Sequence, residues 1–337
     1  MNLKTYIPKL LALSLYTLTI LTVLFAGAFW WASVAFNKAG PSAETRYVVI
    51  PLGVGLRGIA DILRSEGVVE NPYIFIFGTR VVGAQAELKA GEYEFLPRLS
   101  PRAIMEQIKA GKIFERKITI PEGLTNFEIK TLLLAREDLS KTVQWKLPRS
   151  EGVYLPETYH YQKGERVSVV MDRMREAMTK MLDTLWFARA PDVPLKTKEE
   201  VLVLASIVEK ETGKPDERAR IAGVFYNRLK IGMPLQSDPT VIYGITKGVP
   251  EQGGQGPLGR RLLSKDLQTP SPYNTYLNKG LPPSPICNVG RAALEAVLHP
   301  EQHDYLYFVA DGTGGHVFAR TLAEHNRNVA QWRRVRD

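Results

Sequence analysis

Hydrophobic positions along the chain fall into three regimes. From Leu10 to Phe36 they are nearly continuous, and no charged residue lies between Lys9 and Lys38. Such a run exceeds the roughly 20 residues needed to cross the hydrocarbon of a bilayer, and a signal peptide's apolar core would be shorter. Trp30 and Trp31, near its end, are of the type that settles at a membrane interface. The expectation is one transmembrane helix over 10–36 behind a tail at 1–9. Lys4 and Lys9 before the span favour a cytoplasmic N-terminus, against a weaker opposing pull from Lys38 and Arg46. Everything after about residue 40 then lies on the far side of the cytoplasmic (inner) membrane.

After a polar linker at 37–45, short alternating and helical patterns take turns. Tyr47–Ile50 reads as a strand and Val54–Ser65 as a helix with Leu56, Ile59, Ala60 and Leu63 on one face. Asn71-Pro72 opens a second helix to about Arg80, and Gly91–Phe95 alternates like a strand. Ser100-Pro101 caps a helix ending at Gly111, with Ile104, Met105 and Ile108 apolar, and Arg116–Ile120 is a further strand. This is a small α+β module over 46–120. Its strand-helix-helix-strand order resembles a LysM domain, a module that binds N-acetylglucosamine-containing glycans; a plain spacer is the other reading.

Longer helical patterns follow. Thr125–Ala135 is one, and Val167–Trp186 another, its stripe of Val170, Met171, Met174, Met178, Met181, Leu182 and Leu185 reading as core. Gly152–Tyr159 is aromatic-rich and proline-broken, a loop or edge strand. Asp216–Leu229 is a helix, and Tyr305–Ala310 and His316–Phe318 form strands around a glycine-rich turn. The expected fold class is α+β: a transmembrane helix, the LysM-like module, and a larger mixed domain over 121–337.

One helix in that domain carries candidate chemistry. Glu199–Gly213 places Val201, Leu204, Ala205 and Val208 on a single stripe. Glu209 and Glu211 are about 200° apart around the axis and cannot serve one site. Glu211 falls beside Leu204 and Val208, toward the buried side; Glu209 falls beside Ser206 and Lys210, toward solvent. A carboxyl against apolar side chains holds its proton to higher pH, as a general acid must. A surface glutamate ending a helix is the alternative.

Composition narrows the classes. Lys and Arg number 44 against 35 Asp and Glu, a net charge of +9 with both signs interspersed. No basic-aromatic platform points to nucleic acid. The single Cys287 excludes an internal disulfide or a cysteine zinc site, and the five histidines form no HExxH, so neither metal nor cofactor is expected. The loop with Gly253, Gly254, Gly256 and Gly259 lacks a phosphate-binding lysine, and Ser237 lacks the GxSxG setting of a serine hydrolase.

The segments ASIVEKET (205–212), LQSDPTVIYG (235–244), TPSPYNTY (269–276), GLPPSPI (280–286), LYFVADGTGGHVF (306–318) and HN (325–326) occur in that order behind the apolar anchor. Together they resemble the endolytic murein transglycosylase (MltG, YceG-like) family. The resemblance implies non-hydrolytic cleavage of nascent peptidoglycan glycan strands, with Glu211 as the catalytic acid and no second carboxylate required. It suggests proximity to peptidoglycan synthases such as penicillin-binding proteins, beside the membrane that residues 10–36 would span. Gln236, Ser237, Asp238, Asn274 and Tyr276 are the candidates for holding sugar hydroxyls and N-acetyl groups. Asp238 is also the other acid in these motifs with a direct chemical role open to it. Turn capping by Asn274 and Asp238, and packing by Tyr276, are the plainer alternatives. Two rival functions remain: a muramidase-type hydrolase using Glu211 and Asp238, and a non-enzymatic glycan-binding scaffold.

Overall fold

The computed structural model describes residues 3–141, 146–251 and 256–336, so Gly253 and Gly254 of the glycine-rich loop lie outside the described residues. The fold is mixed α+β. The chain divides into two compact units, residues 1–116 and 117–337.

The first unit begins with α1, Leu3–Asn37, whose Leu11–Asn37 portion is long and apolar enough to cross a membrane. Then come β1 (Arg46–Ile50), α2 (Leu56–Ser65), α3 (Pro72–Val82), β2 (Gly91–Phe95) and α4 (Pro101–Ala110). The two strands pair antiparallel, from Arg46 opposite Phe95 to Ile50 opposite Gly91. Period-two alternation sends Val48 and Ile50 inward to meet Ile59 and Leu63 of α2, Phe75 of α3, and Ile104 and Ile108 of α4. The expected caps form: the side chain of Asn71 accepts from Tyr73 N–H, that of Ser100 from Ala103 N–H, and a proline follows each. Gly83 and Gly111 end these helices in the left-handed conformation.

Residues 37–45 are not a loose tether. Gly40 N–H donates to the carbonyls of Arg98 and Leu99, and Arg98 N–H to that of Ser42. Ala32 and Phe36, expected to lie within the transmembrane segment, are buried in the same core as the strands. The last turns of α1 therefore belong to the module.

The second unit holds β3 (Arg116–Thr119), α5 (Asn126–Leu134), β4 (Thr158–Tyr161), α6 (Val167–Phe187), α7 (Lys198–Glu211), α8 (Arg218–Lys230), α9 (Asp238–Thr246), α10 (Arg291–Leu298), β5 (Tyr307–Ala310), β6 (His316–Ala319) and α11 (Leu322–Arg336). β3 pairs with β4, and β5 with β6 as an antiparallel hairpin. The methionine stripe of α6 is core, as expected: Met171 and Met174 pack with Ile118, Ile129 and Tyr161, while Met178 packs one layer further on. That further layer surrounds α7 with Phe225 of α8, Leu294 and Val297 of α10, and the segment Ile286–Val289.

Here α7 departs from an amphipathic surface helix. Val203, Ser206 and Ile207 are buried along with the expected stripe. The physical reason is the segment before α10, which runs along the side expected to face solvent. Ile286 N–H donates to Ser206 Oγ at 3.0 Å, and Ser206 O accepts from the Cys287 thiol. Thr197 and Glu200 close a capping box at its N-terminus.

Candidate active site

Glu211 is the last residue of α7, after which Thr212 turns to extended backbone. Its carboxylate meets the start of α9. Gln236 takes a positive φ of 50°, unusual for a side chain with a Cβ, and its N–H donates to Thr275 O. That turn aims Ser237 at α7. Although Ser237 sits at the N-cap position, its hydroxyl makes no capping bond and donates to Glu211 Oε1 at 2.5 Å.

The backbone of Ser237 is held from behind. Its N–H donates to Thr275 Oγ1 at 3.0 Å, and its carbonyl accepts from Thr240 Oγ1 at 2.6 Å. Since the Thr240 proton is so engaged, Thr275 donates in the 2.8 Å bond between the two threonines. All three residues are buried. Neither threonine stood out in the sequence, where a hydroxyl in a loop carries no distinguishing signal.

Asp238 is exposed on the first turn of α9, and its Oδ1 accepts from Tyr276 OH at 2.6 Å. Asn274 does not reach the surface. Its amide donates to Leu267 O and Thr269 O, and its oxygen accepts from Tyr276 N–H. It braces the loop that presents Tyr276. The structure thus gathers Glu211, Ser237, Asp238 and Tyr276 into one group, leaves the Gln236 side chain exposed beside it, and places Asn274 underneath.

Charge around Glu211 has two sources besides Asp238. Arg228 of α8 is buried and donates to Leu306 O and Leu235 O. His316, at the start of β6, places Nδ1 2.7 Å from Glu217 Oε2 while its N–H donates to Glu217 Oε1. Because a carboxylate only accepts, Nδ1 carries the proton in that contact. Burial pushes the Glu211 carboxyl up to about 7, against the Ser237 hydrogen bond. The negative Asp238 adds to that rise, and His316 and Arg228 oppose it. His316 lies in the quoted GGHVF string, and its contribution was legible only after the hairpin brought it back to α7.

Glu209 is corrected by the structure. Expected toward solvent, its side chain is only 4% exposed: it accepts from Gly290 N–H at 3.0 Å and lies 3.6 Å from Arg218. It receives the N-terminus of α10, a structural task. The 200° separation still holds, since the two glutamates serve different neighbours. Among the described residues no cluster of three His, Cys, Asp or Glu is placed to hold a metal ion.

Residues 48–331 match the YceG-like family. A Bacillus subtilis (strain 168) protein named endolytic murein transglycosylase is 30% identical, with 90% of each chain covered. A Streptococcus pneumoniae (strain R6) protein of the same name is 31% identical over 93% of this chain, which spans 64% of that longer protein. A crystal structure of a YceG-like protein from Listeria monocytogenes is 33% identical, covering 85% of this chain and 99% of that one, with a TM-score of 0.48. With a match across most of its length and relatives at this identity, the chain belongs to the YceG-like family.

Proposed function

We propose that this chain is a membrane-anchored lytic transglycosylase that cleaves the β-1,4 bond between N-acetylmuramic acid and N-acetylglucosamine within peptidoglycan strands. The observation that carries the reading is the carboxyl of Glu211, raised by desolvation to about 7 and aimed at a polar group formed by Ser237, Asp238 and Tyr276. The relatives named endolytic murein transglycosylase support the same reaction class.

Glu211, protonated, donates to the glycosidic oxygen as the bond to the muramyl anomeric carbon breaks and oxocarbenium character develops. The resulting carboxylate takes the proton of the muramyl C6 hydroxyl, whose oxygen bonds to that same anomeric carbon. A 1,6-anhydro ring closes and Glu211 regains its proton, so no water is consumed. The internal nucleophile acts at high effective concentration. Ser237 orients the carboxyl, Tyr276 and Asp238 face the sugars, and Gln236 is within reach at the rim. Asn274 acts through Tyr276.

The apolar length of α1 supports a single-pass anchor; in this reading Lys4 and Lys9 keep residues 1–9 cytoplasmic, and 121–337 acts close to the membrane, beside peptidoglycan synthases. The antiparallel β1–β2 pair with two intervening helices supports a LysM-like reading of 46–120. Cleavage near the membrane would terminate growing strands.

Asp238 beside Glu211 favours one second reading, a hydrolase with two carboxylates. Digestion of purified strands in ¹⁸O-water separates the two. The transglycosylase yields muramyl ends lighter by one water, unlabelled and resistant to borohydride. Labelled, reducible ends would establish the hydrolase instead.

A further inference from the structure

We infer that the face of the first unit formed by the end of α1 and the exposed side of α3 is seated in the bilayer surface, with anionic phospholipid headgroups held between Lys38 and Arg64. The inference rests on α1 spanning the membrane. It goes further in stating that the module itself is docked on the lipid and does not swing on a tether.

The first observation is depth. About 20 helical residues cross the hydrocarbon, which from Leu11 puts the boundary near Trp30 and Trp31. The Phe29 and Phe77 rings meet edge to face at 5.5 Å, so α3 reaches the level of the last membrane-spanning turn. One and two turns further along α1, Ala32 and Phe36 are already inside the module's core. Gly78 lies so close beneath the Phe36 ring that a Cβ there would strike it. With Gly40 bonded to Arg98 and Leu99, no flexible length remains to lift the module from the surface.

The second observation is the outward face of α3. Its buried side is Ile74, Phe75, Gly78 and Thr79. The exposed side carries Tyr73, Arg80 and Val81, flanked by half-buried Ile76 and Phe77, where a water-facing helix would carry mainly polar residues. Tyr73 is 68% exposed and Val81 55%. An apolar face with a tyrosine at one end and a single arginine able to reach upward is the composition of a helix lying in a membrane interface.

The third observation is a cavity of about 660 Å³ between the end of α1 and the start of α3, at the height of Trp31 and Tyr73. Lys38 and Arg64 line it against one acid, Glu70. Neither cation forms an ion pair among the described residues. At headgroup level this pairing of cations with interfacial aromatics suits phosphate esters of anionic lipids.

The test uses the full chain in vesicles, with a spin label on Leu21→Cys, Tyr73→Cys, Val81→Cys or Leu52→Cys; the native Cys287 is fully buried. Leu21 reports the anchor, and Leu52, 93% exposed and outside this face, is the water reference. Labels at positions 73 and 81 are expected to favour dissolved oxygen over a water-soluble nickel reagent, as position 21 does. If positions 73 and 81 match Leu52 while 21 is in lipid, the seat is overturned and the anchor stands. If position 21 is also in water, the anchor falls and the seat with it. Shielding of 73 and 81 from both reagents would indicate a protein cover and overturn the inference. For the headgroups, the position-73 label is expected to be more shielded in phosphatidylglycerol-containing vesicles than in pure phosphatidylcholine. Lys38→Gln with Arg64→Gln abolishes that difference; its persistence in the double variant would refute the role of the two cations.

Discussion

Two glutamates of the second unit have carboxyls that burial pushes up to about 7, Glu211 and Glu151. Geometry separates them. Glu151 accepts from Asn126 N–H at 2.6 Å at the start of α5 and faces Tyr243 OH, which ties it to the backbone. Glu211 has one hydroxyl partner and borders exposed Asp238, so it is the one free to exchange a proton with a substrate. Glu211→Gln is expected to lower turnover by about 10³-fold, within the range of general acid loss. It also has a stability signature. The native carboxyl holds its proton up to about 7 against an ordinary 4.5, so native-state stability is lost as pH rises between those values. The shift is worth about 3 kcal/mol. Glutamine escapes that loss, so urea titration should show little difference between the two proteins at pH 4.5 and a more stable variant at pH 8. Ser237→Ala removes the hydrogen bond that favours the carboxylate, so the alkaline limb of the pH–rate profile should move upward from near 7. A limb that stays or moves down would mean that Ser237 does not govern this carboxyl.

At the scale of elements, α7 owes its stability to being wrapped. Burial on nearly all sides by α8, α10 and the Ile286–Val289 segment leaves only its C-terminal end to approach substrate, which is where Glu211 stands. Glu209 ties that end to α10. Glu209→Ala leaves Gly290 N–H and Arg218 without this acceptor, with an expected cost of about 2–4 kcal/mol in chemical denaturation. The folded fraction should turn over at an unchanged rate. A dead but fully stable Glu209→Ala protein would reverse the assignment of the two glutamates. The β5–β6 hairpin is the other contributing element, since it returns His316 to the vicinity of Glu211 and locks it through Glu217.

For the whole molecule, the end of the anchor and the start of the module are one piece. Removing residues 1–30 keeps Ala32 and Phe36 in the core, whereas removing 1–38 deletes both. The shorter deletion should give the more stable first unit, with a difference of about 3–5 kcal/mol, the usual cost of losing a buried phenylalanine side chain. Equal stability of the two truncated proteins in urea titration would show that Phe36 packs there only weakly.

The apolar run at 10–36, the caps at Asn71 and Ser100, and the stripe of α6 depend on contacts within a few residues of each other, so the linear pattern determined them. The same pattern determined the separation of Glu209 from Glu211 around the axis of α7, because 3.6-residue periodicity is local. The helix α9 was not legible: its first turn, Asp238-Pro239, reads equally as a loop, and its N-cap serine makes a tertiary bond where a capping bond would be the local signal. Glu209 was misplaced because burial on the second side of α7 comes from residues some 80 positions away. The roles of Thr275, Arg228 and His316 likewise exist only once distant segments meet, as does the junction of Phe36 with Gly78. Periodicity tells which face of an element is apolar; which neighbours cover the remaining faces is decided by packing, and packing is a property of the folded chain.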